Sequence, residues 1–136
     1  MKEMTIPARP ENLYAVLNFI KNGINEAGCP VIDLGKIELA VEEIFVNISS
    51  YAYIPGYGDV KVRWCMSDAP GQVIIQFLDD GKPFNPLLKN DPDMTLNHAE
   101  REVGGLGIFI LKKICDRIDY EYVDGKNSLT LWMNIG

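Results

Sequence analysis

The sequence predicts an α/β fold, a two-layer sandwich in which about three helices cover one face of a mixed, mostly antiparallel sheet. Three observations predict it. Three stretches repeat apolar residues every three or four positions, as helices buried on one side do. Runs with period two fall into two hairpin pairs, 60–66 with 73–78 and 118–122 with 129–135. Helices and strands hardly alternate, which argues against a doubly wound parallel sheet.

Taken in order, Met4-Thr5-Ile6 suits a short edge strand, ended by Pro7 and Pro10. The first helix runs from about Glu11 to Ala27, with Leu13, Val16, Leu17, Ile20, Ile24 and Ala27 on one stripe. Gly28 and Pro30 stop it. Asp33 is placed to cap a second helix, which runs from Leu34 to about Tyr51 or Tyr53. Its core face is Ile37, Val41, Ile44, Phe45 and Ile48, and another face carries Ala40, Glu43, Asn47 and Ser50.

Pro55-Gly56-Tyr57-Gly58-Asp59 turns the chain into a strand where Val60, Val62, Trp64 and Met66 alternate with Lys61, Arg63 and Cys65. After Asp68-Ala69-Pro70-Gly71, the strand from Val73 to Leu78 is more fully apolar and is expected nearer the middle of the sheet. From Asp79 to Val103 periodicity is lost. A segment of that length in a compact domain is usually functional, and a lid over a site is expected, with a short helical turn near Asn97 to Glu102. The third helix follows, with Leu106, Phe109, Ile110 and Ile114 inward. Ile118, Tyr120 and Tyr122 share one face of the next strand, and Asp124-Gly125 makes a hairpin turn. Leu129, Leu131, Met133 and Ile135 then alternate with Ser128, Thr130, Trp132 and Asn134.

The chain has 136 residues, 47% of them hydrophobic and 24% charged, which suits one domain over 1–136 with a proper core. A net charge of −6 argues against a nucleic-acid surface. No apolar run reaches the roughly 20 residues that span a bilayer, and the N-terminus lacks a signal-peptide core. Cys29, Cys65 and Cys115 have no metal-ligand or disulfide spacing and read as reduced thiols of a cytoplasmic protein.

Three stretches carry chemistry. Gly104-Gly105-Leu106-Gly107 leads directly into a helix, where unpaired N–H groups and the helix dipole suit an anion. Glycines in this place also form plain turns. Glu43 and Asn47 lie four apart on the second helix, so their side chains share a face. Asn47 is flanked by Phe45, Val46 and Ile48, which puts its amide at the margin of the core; its oxygen suits Mg2+, and Glu43 could take a proton. Alternatively the two are a solvated polar pair. Asp79-Asp80-Gly81-Lys82-Pro83-Phe84 ends an apolar strand. There an aspartate can accept from an exocyclic amine and Gly81 lets backbone approach a flat ring, or the stretch is a turn with a local acceptor.

Together, E-x-x-x-N on a helix, D-x-G-x-P-F after a strand, a long lid and G-G-L-G opening a helix resemble the GHKL (Bergerat-fold) ATPases. The texture is most similar to the bacterial anti-sigma-factor serine kinases, and the resemblance covers nearly the whole chain. It implies ATP and Mg2+ as cofactors. By position, Asn47 matches the Mg2+ ligand, Glu43 the general base, Asp79 the reader of the adenine amino group, and Gly81 the glycine beside the ring. Gly105 and Gly107 match the glycines that wrap the phosphates, with Gly104 and Leu106 in the same loop. Val103 stands where some relatives carry an arginine, which leaves Arg101 or Lys82 as the phosphate-facing cation. The resemblance further implies transfer of the ATP γ-phosphate to a serine of a STAS-type anti-anti-sigma protein, sequestration of a sigma factor, and a homodimer. A nucleotide-gated binding module without transfer is the alternative. A histidine kinase is disfavoured, since the sole histidine is His98 in the expected lid.

Overall fold

A computed structural model describes residues 1–28, 34–53, 56–88 and 105–136, with the side chains of Gly105 and Leu106 outside the description. In chain order it has β1 (Lys2–Pro7), α1 (Leu13–Glu26), α2 (Leu34–Asn47), β2 (Asp59–Met66), β3 (Gln72–Asp79), α3 (Gly105–Ile114), β4 (Arg117–Val123) and β5 (Lys126–Asn134). The strands form one five-stranded sheet in the order β1-β2-β3-β5-β4. Every pairing is antiparallel, so the expected mixed sheet has no parallel neighbours among the described residues. β3 is central, as its apolar run predicts, and β1 is an edge.

The strand alternation assigns the faces. Val60, Val62 and Trp64 of β2, Val73, Ile75 and Phe77 of β3, and Leu129, Leu131 and Met133 of β5 are buried in one cluster with the helices. Lys61, Arg63, Gln76 and Thr130 lie on the other face, where Gln76 donates to Ser128 and Thr130. This is the pattern of an antiparallel sheet covered on one side.

A three-residue 3-10 turn, Pro10–Asn12, precedes α1, and Asn12 Nδ2 donates back to the Pro7 carbonyl at 2.8 Å. Val16, Ile20 and Ile24 of α1 are fully buried, and Gly28 ends the helix at φ 73°, which a residue with a Cβ rarely adopts. Ala27, expected on the apolar stripe, is exposed because the helix has already ended. Gly23 lets α1 dock on β2: a Cβ there would stand 2.3 Å from Trp64 Cζ2. In α2, Ile37, Val41, Ile44 and Phe45 are buried as predicted, joined by Ala40. The helical run then widens into a π turn, Ile48–Ala52. In α3 the buried residues are Ile108 and Leu111, which corrects the expected inward set: Phe109 and Ile110 are only half-buried. The α3 pattern is apolar nearly all round, so periodicity alone could not orient it.

Asp33, Cys29 and Pro30 lie outside the described residues, as do Gly104 and positions 89–103 of the expected Asp79–Val103 lid, with His98, Arg101, Val103 and the turn expected near Asn97 to Glu102. Cys65 and Cys115 are free thiols, and burial pushes the Cys115 thiol up to about 11, so it stays protonated at neutral pH.

Candidate functional site

The site lies where the end of α2 crosses the ends of β3 and β5. Ile44, Asn47, Ile48, Tyr51 and Ala52 supply one wall at helical spacing. Phe77 and Asp79 supply the floor from β3, Asn127 and Leu129 from β5, and Tyr120, Lys82, Phe84 and Pro86 the margin. The space between these residues, counted with its open mouth, is about 460 Å3. Its walls are mainly apolar and its floor holds one buried carboxylate.

That carboxylate is Asp79, 6% exposed. Period two places it on the buried face with Phe77, and the strand ends there. The Gly81 N–H and Asn127 Nδ2 both donate to Asp79 Oδ1 at 2.9 Å. Burial raises the Asp79 pKa above that of an ordinary aspartate, and these two bonds partly offset the rise. The arrangement offers an acceptor at the bottom of an apolar slot, which suits a flat ring carrying an amine.

Gly81 does not line this cavity. Its missing side chain makes room for Ala52, whose carbonyl oxygen would be 2.4 Å from a Cβ at this position. The Lys82 N–H donates to that same carbonyl at 3.1 Å, so the π turn and the loop after β3 are joined backbone to backbone. Tyr53 adds a second tie: its hydroxyl donates to the Asp59 carbonyl and accepts from the Asp80 N–H at 2.8 Å. Of the two candidate cations, Lys82 is at the cavity margin.

At the other end, Asn47 Nδ2 donates to Glu43 Oε1 at 3.4 Å, a long bond between half-buried groups. Their four-residue spacing on α2 brings them together as predicted. The Glu43 carboxylate lies against the first turn of α3, where a Cβ on Gly107 would come within 2.0 Å of Glu43 Cδ. Gly107 therefore makes room for the acid. Gly105 is the first residue of α3 and Leu106 the second.

Sequence reasoning missed Asn127, Tyr120 and Tyr53. Asn127 left a readable signal, since it occupies a buried-face position in the alternation 127, 129, 131, 133 where the other members are apolar. The tyrosines left none: Tyr53 meets Asp80 across 27 positions, and Tyr120 meets Asn127 across the β4–β5 hairpin through side chains whose contact spacing alone does not specify.

An acid is thus anchored under an apolar slot, a Glu–Asn pair lies beside a helix N-terminus, and comparison with known proteins decides the family. The family model for the histidine kinase-like ATPase domain matches residues 6–133. The chain belongs to that family. It is similar to the serine-protein kinase RsbW of Bacillus velezensis, 25% identical over 97% of this chain and 85% of the relative. It is also similar to RsbW of Halalkalibacterium halodurans, 25% identical over 90% and 76%. Among solved structures, the catalytic domain of the histidine kinase ThkA matches 99% of this chain and 98% of its own, with TM-score 0.52 and 14% identity. The histidine kinase domain of the blue-light activated kinase from Erythrobacter litoralis has TM-score 0.55 and 17% identity, over 90% of this chain and 61% of that one. This chain thus spans less than two thirds of the Erythrobacter chain, and at these identities both structures support the fold alone. No described helix is long and apolar enough to cross a membrane.

Proposed function

We propose that this histidine kinase-like ATPase domain is an ATP-dependent protein serine kinase. It transfers the γ-phosphate to a serine of a STAS-type anti-anti-sigma partner and sequesters a sigma factor as a cytoplasmic homodimer. The observation that carries the nucleotide reading is Asp79, a buried acceptor at the base of an apolar cavity whose rim holds Asn47. The kinase reading rests on Glu43 beside Asn47, and on relatives named as serine-protein kinases.

The donor set fits Mg-ATP. An aspartate accepts from the adenine amine, and the apolar walls of Ile44, Ile48, Phe77 and Leu129 take the ring faces. Glu43 holds Asn47 through the amide nitrogen, which leaves the amide oxygen as a neutral ligand for Mg2+ shared with phosphates. Gly105, Leu106 and Gly107 present the first N–H groups of α3 to phosphate oxygens, and Gly104 precedes them. Mg-ATP supplies the transferable phosphoryl group and the cation that offsets its charge. Glu43 would accept the proton of the incoming serine hydroxyl as the serine oxygen bonds to the γ-phosphorus and the bond from that phosphorus to the bridging oxygen breaks, ADP being the leaving group. Lys82, at the margin, adds positive charge.

The test is Glu43→Gln, which keeps size and hydrogen bonding but cannot take a proton. Mg-ATP affinity is expected within about threefold of wild type, and serine phosphorylation of the partner to fall at least ~100-fold. Equal transfer rates would remove Glu43 from the chemistry. Absence of transfer by wild type, with ATP binding intact, would leave a nucleotide-gated binding module.

A further inference from the structure

Asn127 stands directly opposite Asp79 in the β3–β5 ladder, and each is 6% exposed. Its amide nitrogen donates to Asp79 Oδ1 and the Lys82 carbonyl at 2.9 Å, and more weakly to the Gly81 carbonyl at 3.3 Å. Its amide oxygen accepts from the Phe84 N–H at 3.1 Å and from the Tyr120 hydroxyl. The nitrogen meets only acceptors and the oxygen only donors, so one amide orientation satisfies the site. Every hydrogen-bonding group of Asn127 is engaged within the protein, which leaves none for a ligand.

This has a chemical consequence for Asp79. With Asn127 and Gly81 both donating to Oδ1, the carboxylate cannot turn without breaking two bonds. Oδ2 accepts nothing from the described residues, and Asp79 lines the cavity. We propose that Asn127 is a positioning residue for base selectivity: it pins Oδ1 of Asp79 so that Oδ2 meets the base as an acceptor, which selects an exocyclic amine over a carbonyl. This inference rests on the nucleotide reading above. The remaining groups around Asp79 do not substitute for Asn127. Asp80 opposes its ionisation, Lys126 favours it but pairs with Asp80, and the Tyr120 and Tyr53 hydroxyls bond elsewhere. Lys82 meets Asn127 through its carbonyl while its side chain borders the cavity.

The test compares binding of Mg-ATP and Mg-ITP by calorimetry; the rings differ at C6 by an amine against a carbonyl and at N1 by an acceptor against an N–H. Wild type is expected to prefer ATP by about 100-fold or more, since an Oδ2 fixed opposite C6 accepts from the amine and is repelled by a carbonyl in the same place. In Asn127→Ala only the Gly81 N–H still holds Oδ1, so the carboxyl turns more readily and can present a protonated oxygen that donates to the carbonyl of ITP. The ATP:ITP ratio should fall at least about tenfold. A purely structural role would weaken both ligands equally and leave the ratio unchanged. Tyr120→Phe removes one donor to Asn127 and keeps Asp79 and Asn127 in place. It should lower the ratio about two- to threefold, and it carries the test if Asn127→Ala does not fold. Wild type binding neither nucleotide overturns the reading on which this rests. ATP binding without preference over ITP, or an unchanged ratio in the folded variants, overturns the inference alone.

Discussion

The two ends of the cavity are built differently. At the base end, Asp79 is clamped by bonds from β5 and from its own loop, and backbone meets backbone where Gly81 packs on Ala52. At the phosphate end, Glu43 and Asn47 share one long bond on a single helix, and Gly107 meets only the tip of a flexible side chain. The base end is thus held by bonds from several elements, whereas the Glu43–Asn47 bond is long and local to one helix. Recognition needs a fixed acceptor, because a carboxylate that rotates cannot discriminate. Transfer needs groups that tighten around the reacting atoms, which a bond local to one helix allows.

The largest expected effect breaks the base end. Asp79→Ala removes the acceptor from the floor of the cavity, and Mg-ATP affinity measured by calorimetry should fall at least about 100-fold. Asn47→Ala should cost binding only in the presence of Mg2+, which separates the two ends in one titration.

Next come the glycines, which sharpen the contrast. Gly107→Ala forces the Glu43 side chain to swing away. Thermal stability should hardly change, while serine transfer drops about 100-fold, as it does when a reacting group is displaced by an ångström or so. Gly81→Ala forces backbone against backbone and should cost about 2–3 kcal/mol in denaturant unfolding. Equal unfolding midpoints for the two variants would erase the distinction.

Smaller effects follow pH. Asp79 has its pKa raised by burial, so the acceptor is lost on acidification at a higher pH than the ~3.9 of a free aspartate. ATP affinity should fall as pH drops through that raised pKa. For stability the sign is opposite. The Asp79 contribution is fully present below about pH 3.9 and is lost as pH rises through its folded pKa. Asp79→Asn, which cannot ionise, should therefore gain stability relative to wild type across that window. The smallest effect is a control remote from both ends: Lys21 pairs with Glu38 on the surface between α1 and α2, and Glu38→Gln should change stability by about 0.5 kcal/mol or less and ATP binding not at all.

The layers, the hairpins and the contacts between near neighbours follow from spacing along the chain. Val60, Val62 and Trp64 had to face the helices because period two allows only one apolar face, and Glu43 had to meet Asn47 because four residues complete a helical turn. Asp79 was legible as the acid ending an apolar strand. Packing between distant elements set what holds that acid. Asn127 reaches Asp79 across 48 positions of sequence through strand register, and Tyr53 reaches Asp80 across 27. It also decided why Gly81 and Gly107 are glycines, since Ala52 and Glu43 arrive from other elements. Local spacing specifies which side chains share a face, whereas register and packing between distant elements specify which of them touch.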